Sequence, residues 1–161
     1  MTLEEARAHG IRLLKFRPRS EAELRQRLLR KGFSQAVVDS LVEEFGRKGF
    51  LNDAKFAQYF ATQQMMVKPS GRRALLMGLK AKGVDPQLAT QAVEAASGGR
   101  DELEVAREVA SARFSHLQGV TPEAAKRRLF GFLSRRGFSS DVIYKVVREV
   151  SVHRSVSDEK L

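Results

Sequence analysis

The chain has 161 residues, of which 29 are Lys or Arg and 19 Asp or Glu, giving a formal net charge of +10 with 42% hydrophobic residues. Cys is absent, which excludes disulfides, thiolate metal sites and cysteine catalysis, and no apolar run approaches the ~20 residues that span a bilayer. The acidic start Met1-Thr2-Leu3-Glu4-Glu5 does not read as a secretory leader, so a cytoplasmic protein without a membrane partner is expected, its basic balance pointing to polyanions.

Hydrophobic periodicity predicts helices over 3–16, 20–31, 34–48, 53–66, 70–82, 86–96, 100–115, 122–136 and 140–151. β-branched alternation is scarce, so the fold class is all-α. The elements fall into three similar groups of three. In the first helix of each group, small, small and large residues recur at i, i+4 and i+8: Ala6, Gly10, Leu14; Ala57, Ala61, Met65; Ala106, Ala110, Phe114. That spacing makes a close-packing face.

The second helix of each group ends on a basic residue, a Gly and an apolar residue: Lys31-Gly32-Phe33, Lys82-Gly83-Val84 and Arg136-Gly137-Phe138. Leucines stand eight and four residues before each Gly: Leu24 and Leu28, Leu75 and Leu79, Leu129 and Leu133. They share one helical face, and the Gly suits the left-handed position that closes a helix, with the next apolar residue folding back on the last turn. Ser20-Glu21-Ala22-Glu23 and Thr121-Pro122-Glu123 read as starts of these helices.

The third helix repeats Val37, Val38, Leu41 as Leu88, Ala89, Ala92 and as Val142, Ile143, Val146, with starts signalled by Asp85-Pro86 and Ser139-Ser140-Asp141. Three tandem three-helix repeats of helix-turn-helix type follow, over 1–50, 51–97 and 98–152, with a flexible polar tail over 153–161. Ser97-Gly98-Gly99 and His116-Leu117-Gln118-Gly119 read as the longer linkers.

The charge is localised. Windows 17–32, 68–83 and 121–137, each the second helix of a repeat with its flanks, carry +4, +5 and +4, more than the +10 of the whole chain. Cations at helix ends complement the helix dipole, which is the alternative account of Arg30, Lys31, Lys82, Arg135 and Arg136. Arg72-Arg73 and Arg127-Arg128 stand near predicted helix starts, where the dipole disfavours them. The candidate binding residues are therefore Arg25, Arg27, Arg30, Lys31, Arg72, Arg73, Lys80, Lys82, Arg127, Arg128, Arg135 and Arg136.

The segments Arg19-Ser20-Glu21-Ala22-Glu23-Leu24-Arg25-Gln26-Arg27-Leu28, Lys31-Gly32-Phe33, Gly49-Phe50-Leu51-Asn52-Asp53-Ala54-Lys55-Phe56-Ala57, Arg72-Arg73 and Leu79-Lys80-Ala81-Lys82-Gly83-Val84 are similar, in order and spacing, to those of the bacterial RecX family. The chain resembles that family from about Ala6 to Val150 and departs from it at Val67-Lys68-Pro69-Ser70-Gly71, where Gly-aromatic-Gly-Pro is more typical; its third copy matches more loosely. The resemblance implies an elongated, curved array of three-helix units that lies in the groove of the RecA–DNA filament. It also implies inhibition of RecA recombinase, ATPase and co-protease activity in DNA repair and the SOS response.

A monomer that meets DNA without sequence preference is expected, and the alternative is a stand-alone helix-turn-helix DNA-binding protein that reads one duplex site. His9, His116 and His153 are too dispersed for a metal site. Phe33, Phe45, Phe50, Phe56, Phe60 and Phe138 stand at core or cap positions rather than as a base-stacking platform. Asn52 or Asp53 is expected to cap the fourth helix. No phosphate loop, dinucleotide turn or clustered His/Asp/Glu spacing is present, so neither an enzyme nor a cofactor is expected.

Overall fold

The computed structural model describes the backbone of residues 1–158 and the side chains of residues 1–151. The first repeat contains α1 (Leu3–Phe16), α2 (Glu21–Lys31) and α3 (Gln35–Arg47); the second α4 (Asp53–Val67), α5 (Arg72–Ala81) and α6 (Pro86–Ala96); the third α7 (Glu102–Phe114), α8 (Pro122–Arg135) and α9 (Ser140–Asp158). No strand occurs among the described residues. The ends agree with the sequence periodicity to within two residues, except at α9, whose backbone stays helical seven residues past 151. Val142, Val146 and Val150 keep one apolar face to that point, and no Gly or Pro follows to stop the helix. Residues 159–161, the end of the expected tail, and the side chain of His153 lie outside the described residues.

Every predicted stop is built in the same way. Gly32, Gly83 and Gly137 adopt φ of +105°, +75° and +84°. The amide of the next residue returns to the carbonyl five residues earlier: Phe33 to Leu28, Val84 to Leu79, Phe138 to Leu133. Each Gly amide bonds the carbonyl three residues back, of Leu29, Lys80 and Ser134. The pair of bonds satisfies carbonyls that a helix end leaves open, and the left-handed φ makes Gly the residue of choice.

The starts are capped by side chains. Ser20 and Glu23 form the predicted reciprocal box, and Thr2 with Glu5 forms another. Ser34, Asp101 and Thr121 accept amides of α3, α7 and α8, and the Asp85 carboxylate accepts the Gln87 amide at 2.9 Å. Each such cap contributes about 1 kcal/mol.

The chain divides into two compact units, one of Met1–Thr62 with Gly78–Ala96 and one of Gln63–Met77 with the chain from Ser97 onward, so the second repeat contributes to both. In the first unit α1, α2 and α3 enclose Leu24, Leu28, Val38, Leu41 and Phe45, all fully buried. A Cβ at Gly10 would stand 2.9 Å from the Phe45 ring, so Gly here permits the close approach of α1 to α3. In the second unit α7, α8 and α9 enclose Leu129, Leu133, Phe138, Ile143 and Val146. Full burial of each such side chain contributes roughly 1.5–3 kcal/mol. The segment expected as a linker at 116–119 begins inside a 3-10 turn, Ser115–Leu117, whose buried Leu117 ties it to this core.

Candidate functional site

The structure separates the basic residues into two sets. Arg27, Arg30 and Lys31 on α2, Lys80 on α5, and Arg127, Arg128 and Arg135 on α8 are exposed, and none has an ion-pair partner among the described residues. Arg72 is also exposed, at the first position of α5. Arg72 is not free of partners, and Arg25, Arg73, Lys82 and Arg136 are held by intramolecular contacts.

Arg25 is one of these. Its guanidinium bridges Glu21, 3.0 Å away, and Asp39 on α3; hydrogen bonds with these carboxylates, Asp39 foremost, raise its pKa. Arg73 donates to the Ser134 carbonyl at 3.2 Å. That carbonyl lies in the last turn of α8, so a cation misplaced for the dipole of its own helix is well placed for that of another.

Lys82 and Arg136 are equivalent residues, each immediately before the closing Gly, and each reaches the preceding repeat. In the first unit Lys82 Nζ lies 2.9 Å from Glu23 Oε1, and the Lys82 carbonyl accepts the Ser20 hydroxyl. In the second, Arg136 donates to the Pro69 carbonyl at 2.6 Å, and its own carbonyl accepts the Gly71 amide at 2.7 Å. A Cβ at Gly83 would collide with Ala22, and one at Gly137 with the backbone of Ala74. The same junction is thus built twice, while Lys31, the equivalent residue of the first repeat, is exposed.

The turn at Val67-Lys68-Pro69-Ser70-Gly71 serves the second junction. Ser70 is buried and donates to the Lys68 carbonyl at 2.7 Å, while a Cβ at Gly71 would overlap the backbone of Gly137.

Glu23 gathers three donors: Arg17 at 2.8 Å, Lys82, and the Ser20 amide at 3.1 Å. Burial alone would raise its pKa, but these hydrogen bonds hold it at about 2. Arg19 is also withdrawn from solvent, with 6% exposure; it donates to the Leu13 carbonyl, and burial lowers its pKa.

The sequence reading missed a cationic cavity in the second unit. A cavity of about 330 Å3 opens between α7 and α8, walled by Pro69, Val109, Ala112 and Phe132 and edged by Arg113 and Arg136. The guanidinium carbons of Arg113 and Arg136 each lie 4.9 Å from the centroid of the Phe132 ring. Burial, with Arg113 nearby, lowers the pKa of Arg136. The legible signal was the four-residue spacing of Phe132 and Arg136 on one helical face.

Of the phenylalanines, Phe33, Phe45, Phe56 and Phe138 are buried and Phe60 is half-buried, while Phe50 is exposed yet meets Phe45 edge-on at 5.4 Å. Asn52 caps α4 by accepting the Lys55 amide at 3.1 Å. Asp53 does something different: its carboxylate accepts the Glu21 amide at 2.9 Å, capping α2 instead. No described helix is long and apolar enough to cross a membrane.

Three family models match in order: RecX, first three-helix domain, over residues 6–45; RecX, second three-helix domain, over 52–93; and RecX, third three-helix domain, over 100–147. The regulatory protein RecX of Amycolatopsis mediterranei is 37% identical over 137 residues, covering 85% of this chain and 78% of that protein. That of Thermobifida fusca is 35% identical over 144 residues, covering 89% and 77%. The crystal structure of RecX from Lactobacillus salivarius superposes with a TM-score of 0.76 at 16% identity, covering 93% of this chain and 97% of that one.

Proposed function

We propose that this chain, which belongs to the RecX family of regulatory proteins, binds the RecA–DNA filament and mainly inhibits RecA recombinase, ATPase and co-protease activity, in DNA repair and the SOS response. The family is regulatory rather than enzymatic. The observation that carries the reading is the set of exposed cations without a partner among the described residues on the second helix of each repeat: Arg27, Arg30 and Lys31, then Lys80, then Arg127, Arg128 and Arg135.

A repeated cationic helix suits a target that is itself a repeating anion, and a filament on DNA offers both protein carboxylates and phosphates. The protein works in the cytoplasm, as a monomer, and meets DNA without sequence preference. Titrating the protein into RecA on single-stranded DNA should lower the DNA-dependent ATPase rate at stoichiometric amounts. An unchanged rate at excess, or tight binding to one duplex sequence, would count against this reading and favour a stand-alone DNA-binding protein.

A further inference from the structure

The cavity between α7 and α8 is cationic, and no carboxylate among the described residues neutralises it. Among the described residues Arg113 is exposed and has no carboxylate partner, while the guanidinium of Arg136 is partly buried and hydrogen-bonds only a carbonyl. Glu108, the acid on the rim, is already held by Arg100 at 2.7 Å. An uncompensated, partly desolvated guanidinium is costly, and a bound anion would relieve that cost.

The apolar wall indicates which anion. A volume of about 330 Å3 exceeds what one carboxylate fills and falls in the size range of small-ligand pockets. Guanidinium planes stacked on an aromatic ring present N–H edges to phosphate oxygens and flat faces to a base. Arg128 stands one turn before Phe132 on α8, so the row of 128, 132 and 136 continues the positive charge along the helix beyond the cavity. A polyanion with planar groups matches that row better than an acidic peptide does.

We propose that this cavity holds one nucleoside phosphate unit, its phosphate at the edges of Arg113 and Arg136 and its base against the guanidinium and apolar wall. The source is single-stranded DNA, and this choice rests on the proposed action at a DNA filament. Free nucleotide carries the same chemistry.

The test uses the full chain without RecA, so its failure is separable from failure of the ATPase experiment. Fluorescein-labelled pentathymidylate is titrated and anisotropy read, and the Arg113 Nε–Hε resonance is followed by NMR with dTMP and with the pentamer. Arg113→Glu should weaken pentamer binding more than about tenfold. Arg47→Glu, an equal charge change on an exposed residue of α3, should weaken it less than about threefold. An abasic pentamer should bind about tenfold more weakly than pentathymidylate, through lost stacking. A pentamer that moves the Arg113 resonance where dTMP does not identifies the strand as the source, and equal shifts by both identify the free nucleotide; either supports the cavity. Equal losses in Arg113→Glu and Arg47→Glu, equal affinity for the abasic strand, or displacement of the pentamer by pentaglutamate with the same resonance shifts would overturn it.

Discussion

Lys82 reaches across from the second repeat to Glu23 on α2, 2.9 Å away, and so makes a basic residue at a helix end into part of a junction. Glu23 also binds Arg17 and the Ser20 amide, and its carboxyl is held at about 2 against an ordinary value of 4.5. The unfolded chain therefore binds the proton first as pH falls. The stabilisation is complete above about pH 4.5 and is lost progressively toward pH 2.

Glu23→Gln removes that charge and keeps an acceptor for Ser20. Arg17 and Lys82 are about one-third exposed, so screening limits the loss to about 1 kcal/mol near neutral pH. The pH dependence of urea unfolding between 4.5 and 2 should flatten in the variant. An unchanged acid limb would remove Glu23 from the account of the junction.

The three closing glycines predict a graded series. Alanine at Gly32 carries the cost of positive φ and meets only the flexible Met1 side chain, which gives a loss of about 1 kcal/mol. At Gly83 the new methyl also collides with the Ala22 side chain, and at Gly137 with both the side chain and the backbone of Ala74. Overpacking adds about 1–3 kcal/mol, so stability should fall in the order G32A, G83A, G137A. Urea midpoints measured by circular dichroism decide this, and equal losses at all three would show that φ alone governs these positions.

Much of this was legible because local rules determine it. The leucines four and eight residues before each Gly, the Gly stops and the Ser20 cap depend only on neighbours in sequence, and each is found where the periodicity put it. What could not be read is what depends on a distant element. Nothing near Lys82 or Arg73 indicates that their partners are Glu23 and the Ser134 carbonyl, 59 and 61 residues away. Arg25, Arg73, Lys82 and Arg136, all predicted as binding residues, thus make contacts within the fold, and the cavity beside Phe132 exists only once Arg113 and Arg136 are brought to one ring.

Asp53 predicts opposite effects of two conservative changes. Its carboxylate caps the Glu21 amide, yet burial raises its pKa, so the negative charge itself is disfavoured in the fold. Asn keeps the acceptor and discards the charge, and D53N should unfold at or above the wild-type midpoint at pH 7. D53A leaves the amide unsatisfied and should lose about 0.5–1 kcal/mol. Acidification lessens the charge cost here while it removes the benefit at Glu23. A D53N variant less stable than D53A would show that the cap is not what Asp53 supplies.

The exposed cations should behave as binding residues without a structural role. Arg127 and Arg128 have no partner among the described residues, so R127A and R128A should each change stability by less than about 0.5 kcal/mol. If each meets a phosphate in the RecA–DNA filament, its loss should reduce the slope of log affinity against log salt by roughly 0.7–0.9. Arg25→Ala serves as the contrast, because Arg25 is already engaged with Glu21 and Asp39 and should alter stability more than binding. Filament binding measured over a salt series, with unfolding measured on the same variants, separates the two classes. A salt slope left intact in the R127A/R128A double variant would remove the third repeat from the phosphate-binding surface, and a loss of stability equal to that of R25A would make its cations structural.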